Sequence, residues 1–136
     1  MLKTTLFTTI SIMTPIADKH GSTVAYLYNN IILDINRENV VGVILGNCVF
    51  GDAPQPIGKY FKNTFRGVNG KMIAVTGDAE QRHTNINELK VLDGAWKILK
   101  KVKEHVCGWI QEAEEWADIT FSDFLGTKSI NKGLTF

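Results

Sequence analysis

The stretch Asp18-Lys19-His20-Gly21-Ser22-Thr23-Val24-Ala25-Tyr26-Leu27 decides how this chain is read. A turn signal ending in Gly21 is followed by a strand in which a β-branched residue precedes a very small one. The same dipeptide returns three times, as Val41-Gly42, Ile57-Gly58 and Ile73-Ala74, with the small members 17, 16 and 16 residues apart. A second turn signal follows each strand: Asn29-Asn30, Gly46-Asn47, Lys62-Asn63 and Gly77-Asp78. Asn and Gly tolerate the positive φ that tight hairpin turns require.

Another short apolar or mixed run and another turn precede each dipeptide. Met13 to Ala17 leads into Lys19-His20-Gly21, and Ile31 to Ile35 into Arg37-Glu38-Asn39. Cys48 to Phe50 leads into Ala53-Pro54-Gln55-Pro56, and Thr64 to Val68 into Asn69-Gly70. Each unit therefore reads as strand, turn, strand, turn. One such hairpin cannot bury enough surface to persist alone, so four in series must share a centre. Alternation puts Ala25, Gly42, Gly58 and Ala74 on one face, as candidate packing positions at a crowded pseudo-axis.

These residues resemble the bacterial four-fold β-flower proteins, in which D-x-x-G-x-x-V-A-Y-[IL] repeats recur about every 16 residues as four hairpins around a pseudo-four-fold axis. The resemblance covers residues 13–78. It is best in the first unit and poorest in the third, where Pro54 and Pro56 replace the turn glycine. It implies a fold and no activity.

Beyond Leu89 the apolar residues take helical spacing. Leu92, Leu99, Val106 and Ala113 are seven apart, and so are Ala95, Val102, Trp109 and Trp116, offset by three. Trp96, Ile98, Ile110 and Ala117 widen the stripe. Asn85-x-x-Glu88 has the spacing of a capping box, while Asp93-Gly94 marks an alternative start. Gly108 is costly in a helix unless something packs closely against it. Lys97, Lys100, Lys101 and Lys103 precede Glu104, Glu112, Glu114, Glu115 and Asp118, against the macrodipole of one long helix. An antiparallel partner helix would reconcile that order.

The predicted fold is thus α+β in a single domain: a hairpin array over 1–80, a long amphipathic helix over 84–118 and a tail over 119–136, helical or extended before it frays. The expected function is a non-enzymatic interaction or assembly module. It forms a homo-oligomer by antiparallel pairing of the C-terminal helix through Leu92, Leu99, Val102, Val106, Trp109 and Trp116. The alternative is a small-molecule-binding module with an aromatic pocket between array and helix, lined by Tyr26, Tyr28, Tyr60 and Trp96 with Trp109 and Trp116.

Composition narrows the field. The 136 residues are 44% apolar and 21% charged, with a formal net charge of +1. Residues 1–83 carry eight Lys/Arg against six Asp/Glu, and 84–136 seven against eight. Neither half argues for nucleic acid or an anionic membrane. Lys59, Lys62, Arg66 and Lys71 interleave with Tyr60, Phe61 and Phe65, a pattern that can bind single strands, but a solvated strand face is the commoner reading. No run is long enough to span a bilayer.

Met1 to Ile16 is interrupted by threonines and reads as a Thr-rich strand rather than a cleaved signal, so a cytoplasmic location is expected. Cys48 and Cys107 fit buried free thiols. His20, His83 and His105 form no metal spacing, and no cofactor is expected. Asp18, Asp34 and Asp52 recur at the unit starts. They could converge to hold a cation, although turn roles are commoner. No catalytic motif is found.

Overall fold

A computed structural model describes residues 10–83, 86–103 and 106–126. The strands follow the turn chemistry: β1 (Ile10–Ala17), β2 (Thr23–Tyr28), β3 (Ile31–Leu33), β4 (Val40–Leu45), β5 (Cys48–Phe50), β6 (Gly58–Phe61), β7 (Thr64–Gly67) and β8 (Met72–Thr76). A further strand, β9 (Glu80–His83), and two short helices, α1 (Glu88–Leu99) and α2 (Phe121–Leu125), complete the described elements.

Successive strands pair antiparallel from β1 to β8. β1 also pairs with β8, so the sheet closes on itself as an eight-stranded antiparallel barrel. Closure removes the exposed edges that isolated hairpins would present. The N-terminal half of β1 leaves the barrel to pair with β9, from Ile10 opposite His83 to Met13 opposite Glu80.

Two of the four turns have both residues in the left-handed region. Asn29 and Asn30 have φ of 49° and 65°, and Lys62 and Asn63 have 52° and 60°. Two successive left-handed residues match the right-handed twist of the flanking strands. Three equivalent 2.9 Å hydrogen bonds tie each turn to the next unit: the Ile44, Tyr60 and Thr76 N–H groups donate to the carbonyls of Asn30, Asn47 and Asn63. The Gly77 N–H donates to the Pro15 carbonyl, where the ring closes.

The register shows why the small residues recur. Ala25 lies opposite Ile16, Gly42 opposite Ile32, Gly58 opposite Val49 and Ala74 opposite Phe65. All four partners are fully buried. An eight-stranded barrel has room inside for side chains and little else, so a large residue on one strand of each hairpin needs a small one across from it. Ile44, Ile73 and the half-buried Leu27 and Tyr60 pack against the same core.

α2 stoppers this core. Thr120 caps its N-terminus, accepting from the Asp123 N–H at 3.0 Å, and Gly126 ends it with a φ of 85°. Phe121, Phe124 and Leu125 enter the barrel core, and Phe121 meets the Phe65 ring edge-on at 5.2 Å. A Cβ on Gly42 would lie 3.2 Å from Leu125 Cδ2 and 2.9 Å from the Phe50 carbonyl. One on Gly58 would overlap the Arg66 carbonyl and sit 2.9 Å from the Phe124 ring.

The long C-terminal helix is corrected. α1 starts at the N-cap Asn87, whose side chain accepts from the Lys90 N–H at 3.1 Å, and it ends at Leu99. The proposed cap at Asn85 lies outside the described residues. Asp93-Gly94 is no break: Gly94 lies within α1, and a Cβ there would press on Val40, so the glycine lets the helix approach β4 closely. Val91, Ala95 and Ile98 cover the outer barrel face at Met13, Tyr26, Leu33, Val43 and Phe50.

Residues 106–117 are a strap without helix, held by the barrel. The Ala113 N–H donates to the Gly70 carbonyl, the Met72 N–H to the Glu115 carbonyl and the Ala117 N–H to the Met72 carbonyl. Cys107 is joined to Cys48 by a disulfide with a Cα–Cα distance of 5.6 Å, which corrects the free-thiol reading. With the helix ending at Leu99, Lys97, Lys100 and Lys101 gather at its C-terminal end, where the dipole favours them. The apparent conflict with the macrodipole came from assuming one long helix. Among the described residues no helix is long and apolar enough to cross a membrane.

Candidate functional site

Three features of this scaffold bear on function. The first is the strap and its anchor, Arg66, which is only 7% exposed. Its Nη1 donates to the carbonyls of Gly70 and Ala113, both at 2.7 Å, and its Nη2 lies 3.8 Å from Glu112 Oε1. Lys62 pairs with Glu112 at 3.0 Å and Lys71 with Glu115 at 4.0 Å. Three of the four cations in the basic run thus face strap acids. Tyr60 and Phe65 stack at 4.5 Å inside the barrel, and Tyr60 shares a hydrogen bond with Thr76.

The second feature is α1. Its inner face is buried, yet Leu89, Leu92 and Trp96 on the outer face are 79%, 56% and 61% exposed. These residues are three and four apart, so they form one stripe along the helix. Asp93 and Lys97 pair across one turn at 3.2 Å beside it. Of the other residues assigned to a helix interface, Leu99 and Val102 pack half-buried around Cys48. Val106 and Trp109 stand exposed on the strap, and Trp116 is half-buried further along it. The structure does not align the six on one helix face, because the strap carries three of them.

The third feature is a cleft of about 320 Å³ between the β1–β2 turn and the segment that leads into α2. Trp116, Ile73 and Phe121 line it, with Asp18, Asp118 and Asp123 also contributing. A second cleft of about 310 Å³ lies between Pro56 and the strap at Cys107 and Trp109.

The aromatic residues assigned to one pocket are not brought together. Tyr26 is buried beneath α1, with the Arg37 guanidinium 5.1 Å from its ring centre. Tyr28 lies beside it and donates a hydrogen bond to the Glu88 carboxylate at the start of α1. Tyr60 is inside the barrel and Trp96 points outward. None of these four lines either cleft. Periodicity pointed to the helix stripe, but nothing local could place Trp116 beside the β1–β2 turn.

The recurring aspartates serve turns and tethers. Asp18 Oδ1 accepts from the His20 and Ser22 N–H groups at 2.9 and 3.1 Å. Asp34 accepts from the Glu38 and Asn39 N–H groups and from the Asn39 side chain. Partial burial alone would raise the Asp34 pKa, but these bonds, with one from the Asn36 backbone, outweigh it and hold the carboxyl below its ordinary value. Asp52 pairs with Lys101 at 3.4 Å. Among the described residues no group of three potential ligands could hold a metal; His83 and His105 fall outside the described side chains. The hydrogen bond to Glu88, partial burial and the Glu88 charge together push the Tyr28 hydroxyl up to about 12.

Fold and surface define a plugged, eight-stranded antiparallel barrel with a helix laid across its flank. Comparison with known proteins finds no matching family model, curated protein or solved structure.

Proposed function

We propose that this protein is a non-enzymatic assembly module that self-associates through α1, two copies pairing their helices antiparallel. The observation that carries this reading is the stripe Leu89, Leu92 and Trp96, apolar and exposed on a helix whose opposite face is already buried. Single exposed apolar residues need no explanation, but a contiguous stripe marks a contact surface. A second copy fits it because the flanking charges are self-complementary. Glu88 and Asp93 outnumber Lys90 in the first half of α1, and Lys97 and Lys100 stand at its end. A two-fold axis sets each acidic half beside a basic one.

Three side chains cover less than the roughly 800 Å² per partner of a standard interface, so the association is reversible. Sedimentation velocity across a concentration series tests it. The mass should rise towards a dimer, and Trp96→Glu should hold the chain monomeric with an unchanged melting temperature. A wild-type chain that stays monomeric at every concentration overturns the proposal.

Two further parts of the reading rest on the fold. The likeness to four-fold β-flower proteins, with a pseudo-four-fold array, is supported by the four matched small–large pairs and the repeated turn-to-unit hydrogen bonds. A cytoplasmic location calls for a largely reduced Cys48–Cys107 pair, whereas the disulfide described above points to an oxidising compartment, since disulfides persist mainly there. Alkylation of thiols at cell lysis distinguishes the two states.

A further inference from the structure

The cleft beside α2 brings an aromatic side chain and several carboxylates together at the surface, although Asp18 also holds its turn and Phe121 and Ile73 also pack the barrel core. Its apolar side is formed by the half-buried Trp116 and Val24, with the almost fully buried Phe121 and Ile73 behind them. Each is held by the scaffold: Trp116 through the backbone bridge to Met72, Phe121 through its edge-on contact with Phe65, and Val24 and Ile73 as parts of β2 and β8. The polar side carries the carboxylates of Asp18, Asp118 and Asp123 beside Lys19 and His20. The Asp18 carboxylate is fixed by the two turn N–H groups it accepts from.

On a flat surface these carboxylates would be an ordinary solvated rim. Here they border a concave apolar space of about 320 Å³, near the lower end of the size of small-molecule sites. The local charge is negative although the chain as a whole carries a net +1, so the site does not simply reflect the bulk composition.

We propose that this cleft binds a small organic cation, an ammonium group carried on an apolar or aromatic body. The body lies against Val24 and the little of Phe121 and Ile73 that reaches the cleft, and the ammonium meets the Trp116 ring face and the aspartates. An indole face attracts a cation through its quadrupole, most strongly where water is partly excluded. A carboxylate ligand would meet three like charges, and a neutral one would gain only the apolar contact. The preformed walls limit the ordering cost of binding. No cleft residue belongs to α1, so this site and helix pairing stand or fall separately.

The test is a titration of the full chain followed by amide and indole NMR shifts, with phenethylammonium as the probe and phenethyl alcohol and phenylacetate as neutral and anionic counterparts. Phenethylammonium should give saturable shifts confined to Trp116 and residues 18–20 and 117–123. It should bind about fivefold or more tightly than the alcohol, with phenylacetate weaker still. Asp118 is exposed, so Asp118→Asn should keep the fold and weaken the cation about threefold while leaving the alcohol unchanged. Trp116→Leu keeps an apolar wall and should cost the cation more than the alcohol. Equal binding of all three probes, shifts scattered over the surface, or a linear response without saturation overturns the assignment.

Discussion

The barrel and the segment that follows it use the same kinds of residue to opposite effect. In the barrel, each small residue sits opposite a buried large one, and the hairpin that holds them is specified by residues close in sequence. In the strap, Ala113 and Trp116 continue the heptad spacing and Ala117 widens it, yet their positions are set by partners about 45 residues earlier: Gly70, Met72 and, for Ala113, Arg66. A repeat written four times locally is strong information about the fold. A seven-residue spacing of single apolar residues is weak even when it recurs, because an irregular strap that touches its support at intervals can carry the same pattern.

The sharpest way to break this contrast is to exchange small for large in the two regions. Gly58→Leu should abolish folding or cost more than about 4 kcal/mol, since even a Cβ there overlaps the Arg66 backbone. Gly108→Ala, with nothing within 4 Å of the added carbon, should shift stability by less than about 0.5 kcal/mol. Urea melts of both variants check this, and comparable losses would erase the distinction.

Next in size is the disulfide, which spans 59 residues and ties the strap to the barrel. Cys107→Ser should cost up to about 4 kcal/mol if the chain-entropy account holds, with circular dichroism still showing the barrel at low temperature. Arg66→Met comes third. It removes the Arg66 donor from the Ala113 carbonyl and leaves the Gly70 carbonyl with the Ala113 N–H, and it should cost about 2–3 kcal/mol. Hydrogen exchange should speed up first at residues 111–117. Exchange that rises uniformly would mean the strap is not a separately held element.

The smallest effect concerns the seam between α1 and β2. Tyr28 has a folded-state pKa raised from 10.0 to about 12, so the protonated hydroxyl is the form that bonds Glu88. Its contribution is fully present below pH 10 and disappears as pH rises from 10 towards 12. Tyr28→Phe should therefore flatten stability between these values, and an unchanged alkaline profile would remove Tyr28 from the seam.

Much of the barrel was legible because its cues are local. Turn residues such as Asn29-Asn30 and Lys62-Asn63 fix hairpins, and alternation fixes faces. The strand at Glu80–His83 was missed because its partner, the start of β1, precedes it by about 70 residues. The end of α1 at Leu99 has no glycine or proline to announce it. It ends where the Lys103 N–H reaches the Pro54 carbonyl and Cys107 reaches Cys48, contacts that a helix continuing past Leu99 does not make. For the same reason Trp116 read as a helix residue and not as the wall of a cleft. Arg66 looked like one surface cation of four because its two carbonyl partners come from separate segments.

Native-state hydrogen exchange resolved by strand is the most direct test of the four hairpins as one cooperative body. Amides in β2, β4, β6 and β8 should open together, with free energies that agree within about 1 kcal/mol and match global unfolding. One hairpin exchanging well ahead of the other three would contradict it.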